Sequence, residues 1–405
     1  MGMKDVLILG GGYAGVLTAL RLARRTRGAA RITLASGSSR FVERIRQHQA
    51  AVGGTLRQLS LPGLLAGSGV RFAEAFIDRL DLERGEARAG SERFGFDELV
   101  LAFGSQVDLN AVPGAREHAL TLDAAHTPLL RARLEAAVRS GGRVVVCGGG
   151  LSGIELSAEL SERWPGLPLT LVTAEQIGPG LSQRARAYLR GFFSEHRVQL
   201  QEHARVERIE AGGVWCREPG SGLPEPRPIA AELVIWAGGF VGSELPRHAG
   251  LDVNLRDQVR VDAALRSLSH RNVTVVGDAA ALEGEFAGAM PLPLQLSCKL
   301  ALPMALLGAD NLARRLAGLA EQPFEFSDVG VCISLGRRDG LIDTRSPDGT
   351  PRERIIGGRW GARLKETVCR LTVHRLRWER FAFWPAGPLS AALQLPASRA
   401  RGIAA

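Results

Sequence analysis

The chain has 405 residues, a length sufficient for two or three domains. Of these residues 45% are hydrophobic and 23% are charged, and this composition excludes global disorder. Five cysteines, with no CxxC pair and no metal-ligand spacing, exclude a disulfide-stapled scaffold and predict no metal site. The formal net charge is +9, and only three of the 51 basic residues are lysines. No compact basic run with interleaved aromatic residues precedes the C-terminal region. We therefore expect no nucleic-acid partner.

The first predicted element is a strand that begins within the first few residues. Asp5–Leu9 is a mainly apolar run, typical of a strand buried on both faces of a parallel sheet. A glycine-rich turn over 10–15, helical spacing over Val16–Arg25 and a second strand at Arg31–Ala35 complete a βαβ unit. Because no targeting segment precedes the strand, a cytoplasmic location is the default expectation.

The same βαβ pattern occurs a second time. Arg143–Cys147 is a strand, residues 148–153 form a glycine-rich turn, and Ile154–Arg163 has helical spacing before the strand Leu167–Thr173. The sequence therefore predicts two copies of one nucleotide-binding module.

Both turns have the spacing GxGxxG. The first glycine permits a tight turn, the second lets a pyrophosphate approach the backbone, and the third allows close packing of helix on strand. The two sets, placed between strand and helix, are Gly10, Gly12 and Gly15, and Gly148, Gly150 and Gly153. Each predicts a dinucleotide site.

The acid that usually binds the ribose hydroxyls about 20 residues after the last glycine is absent from both units. Ser36 stands there in the first unit and Thr173 in the second, with Glu175 two positions later. A neutral Thr173 does not repel a 2′-phosphate, so both NADH and NADPH remain candidates. Arg184 or Arg186 can pair with that phosphate, although surface solvation is the ordinary role of such arginines.

Three further segments end on small residues at predicted strand ends. They are Ala102-Phe103-Gly104-Ser105, Trp236-Ala237-Gly238-Gly239 and, after a buried strand, Gly277-Asp278. An aspartate in this last position can accept hydrogen bonds from a ribitol hydroxyl or can cap a turn.

Together these motifs resemble the flavoproteins with two dinucleotide-binding domains, the pyridine nucleotide–disulfide oxidoreductase superfamily, and are most similar to its type II NADH dehydrogenase-like branch. The resemblance extends from about residue 4 to 380. It implies an α/β fold in which the second of two Rossmann-like modules is inserted into the first, followed by a small C-terminal α+β domain. We place the FAD module at 1–124 and 253–323, the NAD(P)H module at 125–252 and the C-terminal domain at 324–405.

The resemblance also implies FAD in the first module, NADH or NADPH in the second, and hydride transfer from nicotinamide C4 to flavin N5. The implied FAD-binding residues are Gly10, Gly12, Tyr13, Ala14, Gly15, Ser36, Arg44, Ala102, Gly104, Gly277, Asp278 and Gln295. The implied NAD(P)H-binding residues are Gly148, Gly150, Gly153, Thr173 and Gly238.

Three residues are candidates for the chemistry itself. Glu155 is the first acid of the family pattern GxGxxGxExAxE, which continues here through Ser157 to Glu159. Glu155 would then handle a proton near the flavin–nicotinamide contact, or it is an ordinary first-turn glutamate. Arg46 and His48, in the segment expected to pass the flavin ring, would stabilise reduced flavin or orient a substrate, or they are structural.

Two departures from the superfamily concern the electron acceptor. No cysteine precedes Cys147, so a redox-active disulfide in the first module is excluded. The stretch Ala301–Gly308, where type II dehydrogenases carry quinone-associated glutamines, contains none. This loss weighs against quinone and leaves a small organic acceptor open.

The C-terminal region predicts a basic amphipathic helix over Trp360–Arg380, followed by Phe383 and Trp384. Such a helix, at 360–384, can lie on an anionic membrane, form a homodimer interface or pack on its own core.

The leading prediction is an FAD-dependent NAD(P)H oxidoreductase that reduces a quinone or a small organic acceptor without a cysteine intermediate. Three alternatives stay open. They are a soluble flavoenzyme acting on a metabolite with weak or no nicotinamide use, a ferredoxin-type reductase, and a flavin- or nucleotide-binding sensor or scaffold that does not turn over.

Overall fold

The computed structural model describes residues 2–218, 225–282 and 298–381. The α-helices in these ranges are, in chain order, α1 (Tyr13–Thr26), α2 (Gln47–Ala51), α3 (Leu61–Leu65), α4 (Ala115–His118), α5 (Thr127–Ser140), α6 (Leu151–Arg163), α7 (Gln183–Glu195), α8 (Leu245–His248), α9 (Cys298–Leu316) and α10 (Gly358–Phe381). Short 3-10 helices occur at Arg44–Arg46 and Gly277–Ala279.

The strands, in chain order, are β1 (Lys4–Leu9), β2 (Ala30–Ser36), β3 (Arg40–Phe41), β4 (Leu59–Ser60), β5 (Arg71–Glu74), β6 (Arg79–Asp81), β7 (Glu86–Ala89), β8 (Glu92–Gly95), β9 (Glu98–Leu101), β10 (Gln106–Val107), β11 (Ala119–Thr121), β12 (Val144–Cys147), β13 (Leu169–Val172), β14 (Gln199–Gln201), β15 (Arg205–Glu210), β16 (Gly213–Arg217), β17 (Arg227–Ala230), β18 (Leu233–Trp236), β19 (Phe240–Val241), β20 (Val259–Val261), β21 (Val273–Val275), β22 (Ala280–Leu282), β23 (Gly330–Leu335), β24 (Asp339–Arg345) and β25 (Pro351–Ile356).

Two parallel five-stranded sheets form the centres of the two modules. The first has the order β21-β9-β1-β2-β5 and the second β11-β18-β12-β13-β14. Each module also carries a three-stranded antiparallel sheet, β6-β7-β8 in the first and β15-β16-β17 in the second. Because β21 returns to the first sheet after the second is complete, the predicted fold class, with one Rossmann-like module inserted into the other, is confirmed.

The C-terminal domain consists of the antiparallel sheet β23-β24-β25 and the long helix α10. The sequence predicts a small sheet here from Phe326–Leu335 and Leu341–Asp343 but misses β25. That strand is an edge strand whose residues are largely exposed and which begins with a proline, so it lacks the alternation of a half-buried strand.

Asp343 connects this sheet to the second module, because its buried carboxylate accepts hydrogen bonds from the Ser182 amide and hydroxyl at the start of α7.

A buried cluster of charges holds α10 against the first module. Glu379, fully buried on α10, pairs with Arg21 and Arg24 of α1 and with Arg375 of its own helix. Arg21 also binds Asp310 of α9.

Arg25 binds Asp310 as well, which makes that carboxylate a bridge between α1 and α9. Burial alone would raise the pKa of Asp310, but hydrogen bonds from Arg21 and Arg25 outweigh it and lower the pKa. Three helices that are distant in sequence are therefore joined by one charge network.

We expect Glu379→Ala to lower the free energy of unfolding by about 3–5 kcal/mol, because it leaves guanidinium groups buried without their carboxylate. Arg377→Ala, on the exposed side of the same helix, is the matched control and should change stability by less than about 0.5 kcal/mol. Chemical denaturation measures both. Equal stabilities for the two variants would show that the network contributes nothing.

Candidate functional site

The first glycine turn has the geometry of a pyrophosphate cradle. Gly10 has φ +120°, and a Cβ there would lie 2.3 Å from the Ala102 oxygen. A Cβ on Gly15 would lie 1.9 Å from the Gly10 oxygen, so α1 can pack this closely on β1 only with glycine. Space beside Gly12 is open to 4 Å, and no side chain caps the start of α1. The amides of the first helical turn are therefore available to an anion.

The second turn repeats this geometry. Gly148 has φ +128° and packs on the Ala237 oxygen, where a Cβ would approach to 2.7 Å. A Cβ on Gly153 would lie 1.9 Å from the Gly148 oxygen, while the space beside Gly150 is open. The start of α6 also has no side-chain cap. Both turns therefore fit a dinucleotide.

The carboxyl edge of the first sheet gathers the other predicted flavin-site residues. The Ser105 hydroxyl donates to Asp278 Oδ2 at 2.8 Å, and Arg44 Nη1 donates to the Ser105 carbonyl at 2.6 Å. Gly277, at φ +69°, faces Ala14 so closely that a Cβ would lie 3.2 Å from the alanine methyl. The predicted residues at this edge are Gly10, Gly12, Tyr13, Ala14, Gly15, Ser36, Arg44, Ala102, Gly104, Gly277 and Asp278. Gln295 lies outside the described residues.

A carboxylate that the sequence analysis missed lies beside Ser36. Glu74, on the neighbouring strand β5, is in register with Ser36 at the end of β2. Its Oε1 accepts hydrogen bonds from the Ser39 amide at 2.9 Å and the Ser39 hydroxyl at 3.2 Å. The next strand of the sheet thus places a carboxylate beside the position where β2 lacks the expected acid.

The second module has a carboxylate in the corresponding place. Glu202 follows β14 beside Thr173, but its oxygens accept hydrogen bonds from the Ile177 amide and from Arg190. Glu202 therefore shapes the loop after β13. Arg186, one of the two arginines considered for a 2′-phosphate, donates from Nη1 to the Leu181 carbonyl, and its contact with a nucleotide stays a prediction.

Arg184, the other candidate for a 2′-phosphate, has a different setting. It lines a surface pocket of about 460 Å³ between α7 and the C-terminal sheet, together with Arg352 and Arg354. Its contact with a nucleotide stays a prediction.

Two of the three residues predicted to take part in the chemistry, Glu155 and His48, meet where the three parts of the molecule join. Glu155, on α6, is 8% exposed. Its Oε1 lies 2.9 Å from Lys365 Nζ of α10 and accepts the Ser334 amide of β23 at 3.0 Å. Its Oε2 lies 3.4 Å from His48 Nδ1 of α2. The carboxylate is therefore held by the first module and the C-terminal domain together.

Arg46 lies close by but has other partners. Its two terminal nitrogens bind the Glu366 carboxylate of α10 at 2.8 and 2.9 Å, and it also faces Glu43. These contacts fix the segment before α2 to the C-terminal helix. A contact of Arg46 with flavin or substrate stays a prediction.

The electrostatics of this junction favour a charged glutamate beside a neutral imidazole. Burial lowers the pKa of His48 to about 4; Glu155 opposes this, while Lys365 and Arg337 add to it. Burial would raise the pKa of Glu155, but Lys365, His48 and the Ser334 amide lower it below its usual value. At neutral pH, Glu155 is therefore an ionised hydrogen-bond acceptor.

Comparison with known proteins gives the family. The profile of the pyridine nucleotide-disulphide oxidoreductases matches residues 4–295. The chain belongs to this family. It is 26% identical over 406 residues to a type II NADH:quinone oxidoreductase of Staphylococcus aureus (strain MSSA476), covering 94% of this chain and 98% of that protein.

Solved structures support the same fold. The sulfide:quinone oxidoreductase of Aquifex aeolicus superposes with a TM-score of 0.79 at 20% identity, over 94% of this chain and 92% of that one. NDH2 of Plasmodium falciparum, in complex with NADH, gives 0.76 at 14% identity, over 94% and 97%. The predicted superfamily and its type II NADH dehydrogenase-like branch, the FAD-dependent oxidoreductase class, and FAD with a nicotinamide dinucleotide as co-substrate are confirmed. The choice between NADH and NADPH stays open.

We expect Glu74→Gln to weaken FAD binding by about tenfold or more, because it removes the negative charge beside Ser36, the predicted ribose-binding position, while keeping the side-chain size. Titration of the apoprotein with FAD, followed by flavin fluorescence, measures the Kd. Glu92→Gln, in the antiparallel sheet of the same module, is the control. An unchanged Kd in Glu74→Gln would rule out this role.

Proposed function

We propose that this flavoprotein oxidises NADH and passes the electrons to a quinone at a membrane surface. The observation that carries the proposal is the buried pairing of Glu155 with Lys365 and His48, which supplies acid–base groups beside the second dinucleotide turn. The cysteine pair of the disulfide reductases has no counterpart in the first module, since no cysteine precedes Cys147. Similarity to the type II enzymes over nearly the whole chain supports the same reaction.

The parts of the reaction divide between the two modules. The open start of α1, with Asp278 and Glu74, would hold FAD, and the open start of α6 would hold NADH. Bound FAD would supply hydride acceptance from NADH and two-electron delivery to the acceptor. The chain itself orients the two dinucleotides and maintains an ionised Glu155 where a proton must move.

A soluble organic acceptor is the second candidate, and one observation favours it. The stretch Ala301–Gly308, where glutamines are expected for quinone, lies in α9 and presents Met304 and Ala305 to the core. These residues offer no side-chain amide to a quinone carbonyl. Screening soluble acceptors beside quinones distinguishes the two candidates.

The exposed face of α10 supports membrane contact. Trp360, Leu364, Val368, Leu371 and Trp378 are all at least 36% exposed and form one stripe along the helix. The arginines beside this stripe are Arg359, Arg363, Arg370 and Arg377. An aromatic and aliphatic stripe flanked by arginines suits the interface of an anionic membrane.

The opposite face of α10 carries the contacts with the rest of the chain. Cys369, Val373 and Leu376 are buried there, so the stripe that begins at Trp360 is not the face that packs on the core. Within the described residues, no helix is both long and apolar enough to cross a bilayer. Contact with a membrane would therefore be made from its surface by α10.

We expect anaerobic addition of NADH to bleach the flavin band of the FAD-loaded protein at about 450 nm, because hydride transfer reduces the ring. NADPH, added separately, tests the nucleotide preference. Re-oxidation by a short-chain quinone then tests the acceptor. No bleaching by either nucleotide would contradict the proposed reaction.

We expect the protein to sediment with vesicles containing anionic phospholipid and to be released at about 0.5 M salt, because screening weakens the arginine contacts. Leu371→Glu should reduce this binding strongly. Leu255→Glu, at a fully exposed leucine outside α10, is the matched control. Equal binding by the two variants would rule out α10 as the contact surface.

A further inference from the structure

A pocket lined by arginines opens on the surface beside the edge strand β25. Its volume is about 460 Å³, and it lies between the first turn of α7 and β25. The residues that line this arginine pocket are Arg184, Thr344, Arg352, Arg354, Ile355 and Ile356. None of them belongs to the glycine turns or to the pairing of Glu155, so the proposed reaction leaves the pocket without a role.

The backbone of β25 is distorted where it carries two of these arginines. Between two regular pairs, one residue of β24 stands opposite the three residues 352–354 of β25. The middle residue, Glu353, has φ +55°, in the left-handed region that residues other than glycine rarely adopt. Its side chain reaches α7, while Arg352 and Arg354 on either side of it line the pocket. The strained bulge therefore lies where two guanidinium groups meet one cavity.

The acid within the bulge is used by α7. The Glu353 carboxylate accepts hydrogen bonds from the Gln183 amide at 3.0 Å and from the Arg184 amide at 2.8 Å, in the first turn of that helix. These bonds lower the pKa of Glu353, and the positive charges of Arg186 and Arg184 lower it further. The carboxylate is therefore ionised and bonded to the backbone, and it offsets at most one of the three guanidinium charges of the pocket.

The guanidinium groups of the pocket are available to an anion. Within the described residues, Arg184, Arg352 and Arg354 form no ion pair. Arg352 Nε donates to the Ser346 hydroxyl at 3.0 Å, and Asp348 lies near Arg352 without pairing with it. Three like charges around one cavity repel each other, and an anion with several oxygens relieves this repulsion. Guanidinium groups bind phosphate oxygens through paired hydrogen bonds, so a phosphate group suits this pocket.

The surroundings of the pocket favour the phosphate of a lipid over a soluble one. Ile356, which lines the pocket, is 42% exposed, and Trp360, in the first turn of α10, is 70% exposed. Arg363 lies over the Trp360 ring, 5.0 Å from its centre. The exposed apolar surface thus continues along the chain from the pocket to the stripe on α10. A phospholipid carries its phosphate next to apolar chains, whereas a soluble phosphate gains nothing from apolar surface.

We propose that the arginine pocket binds the headgroup phosphate of an anionic phospholipid. This inference rests on the proposed function, in which α10 lies on a membrane. The stripe that begins at Trp360 is a line of contact, about which the protein can roll. A phosphate held between α7 and β25 adds a contact away from that helix. The two contacts together fix the orientation of the chain on the membrane.

The first test compares two variants that lose the same charge. Arg184→Gln/Arg354→Gln removes two arginines of the pocket, and Arg133→Gln/Arg139→Gln removes two exposed arginines of α5 as the matched control. Sedimentation of the FAD-loaded full chain with vesicles of phosphatidylglycerol in phosphatidylcholine gives the binding constant. We expect the pocket variant to bind at least about tenfold more weakly and the control to lose less than about twofold. Chemical denaturation checks that both variants are folded.

A second readout locates the contact on the chain. Phenylglyoxal modifies accessible arginines, and mass spectrometry reports the rate at each site. Phosphatidylglycerol vesicles, at a lipid concentration about ten times the Kd, should slow modification of Arg184 and Arg354 by about tenfold. Modification of Arg133 should be unchanged. Phosphatidylcholine vesicles, or inorganic phosphate at the same concentration as the lipid, should protect none of these arginines.

Each contrary result has a distinct meaning. Equal vesicle binding by the two double variants, or no protection of Arg184 and Arg354, overturns the headgroup site while the contact through α10 stands. Protection by inorganic phosphate as strong as that by vesicles overturns the choice of a lipid. A lower affinity for NADPH in the pocket variant, with vesicle binding unchanged, assigns the pocket to a nucleotide and also overturns the proposal. Failure of the unmodified protein to bind anionic vesicles overturns the membrane contact in the proposed function itself.

Discussion

A buried carboxylate has to be paired, and for Glu155 the pairing involves the whole molecule. The second module supplies the helix that carries Glu155, but its partners belong elsewhere. Lys365 and the Ser334 amide come from the C-terminal domain, and His48 comes from the first module. An isolated second module would expose this charge or leave it unpaired in the interior. The site is therefore complete only when all three parts are packed together.

The two faces of α10 follow from the same constraint. Its inner face carries Lys365 to Glu155 and Glu379 to the arginines of α1, so the helix cannot rotate without leaving buried charges unpaired. The exposed stripe that begins at Trp360 is consequently fixed in direction. Leu364, on that stripe, is adjacent in sequence to Lys365, so a surface bound by the outer face lies one helix diameter from the acid–base pair.

The sequence was informative wherever the determining interactions are local. A glycine turn between a strand and a helix requires only neighbouring residues, so both cradles and the repeat were predictable. Glu74 could not be found in this way, because its place beside Ser36 depends on which strand pairs with β2. The same holds for Arg46, whose partner Glu366 lies 320 positions away. Single residues of this kind carry no local pattern, and only the fold brings them together.

The distribution of polar groups bears on how an acceptor is protonated. On the α9 side, the stretch that lacks glutamines packs with Met304 and Ala305 buried, and offers no titratable side chain from Ala301 to Gly308. On the α6 side, the imidazole of His48 lies 3.4 Å from the carboxylate of Glu155 and 3.8 Å from that of Glu159. Under the proposed function, Glu155 and Lys365, which lie beside the second glycine turn, would protonate the acceptor. In the described part of the chain, the stretch Ala301–Gly308 offers no titratable group for that task, so it would fall to Glu155 and its partners.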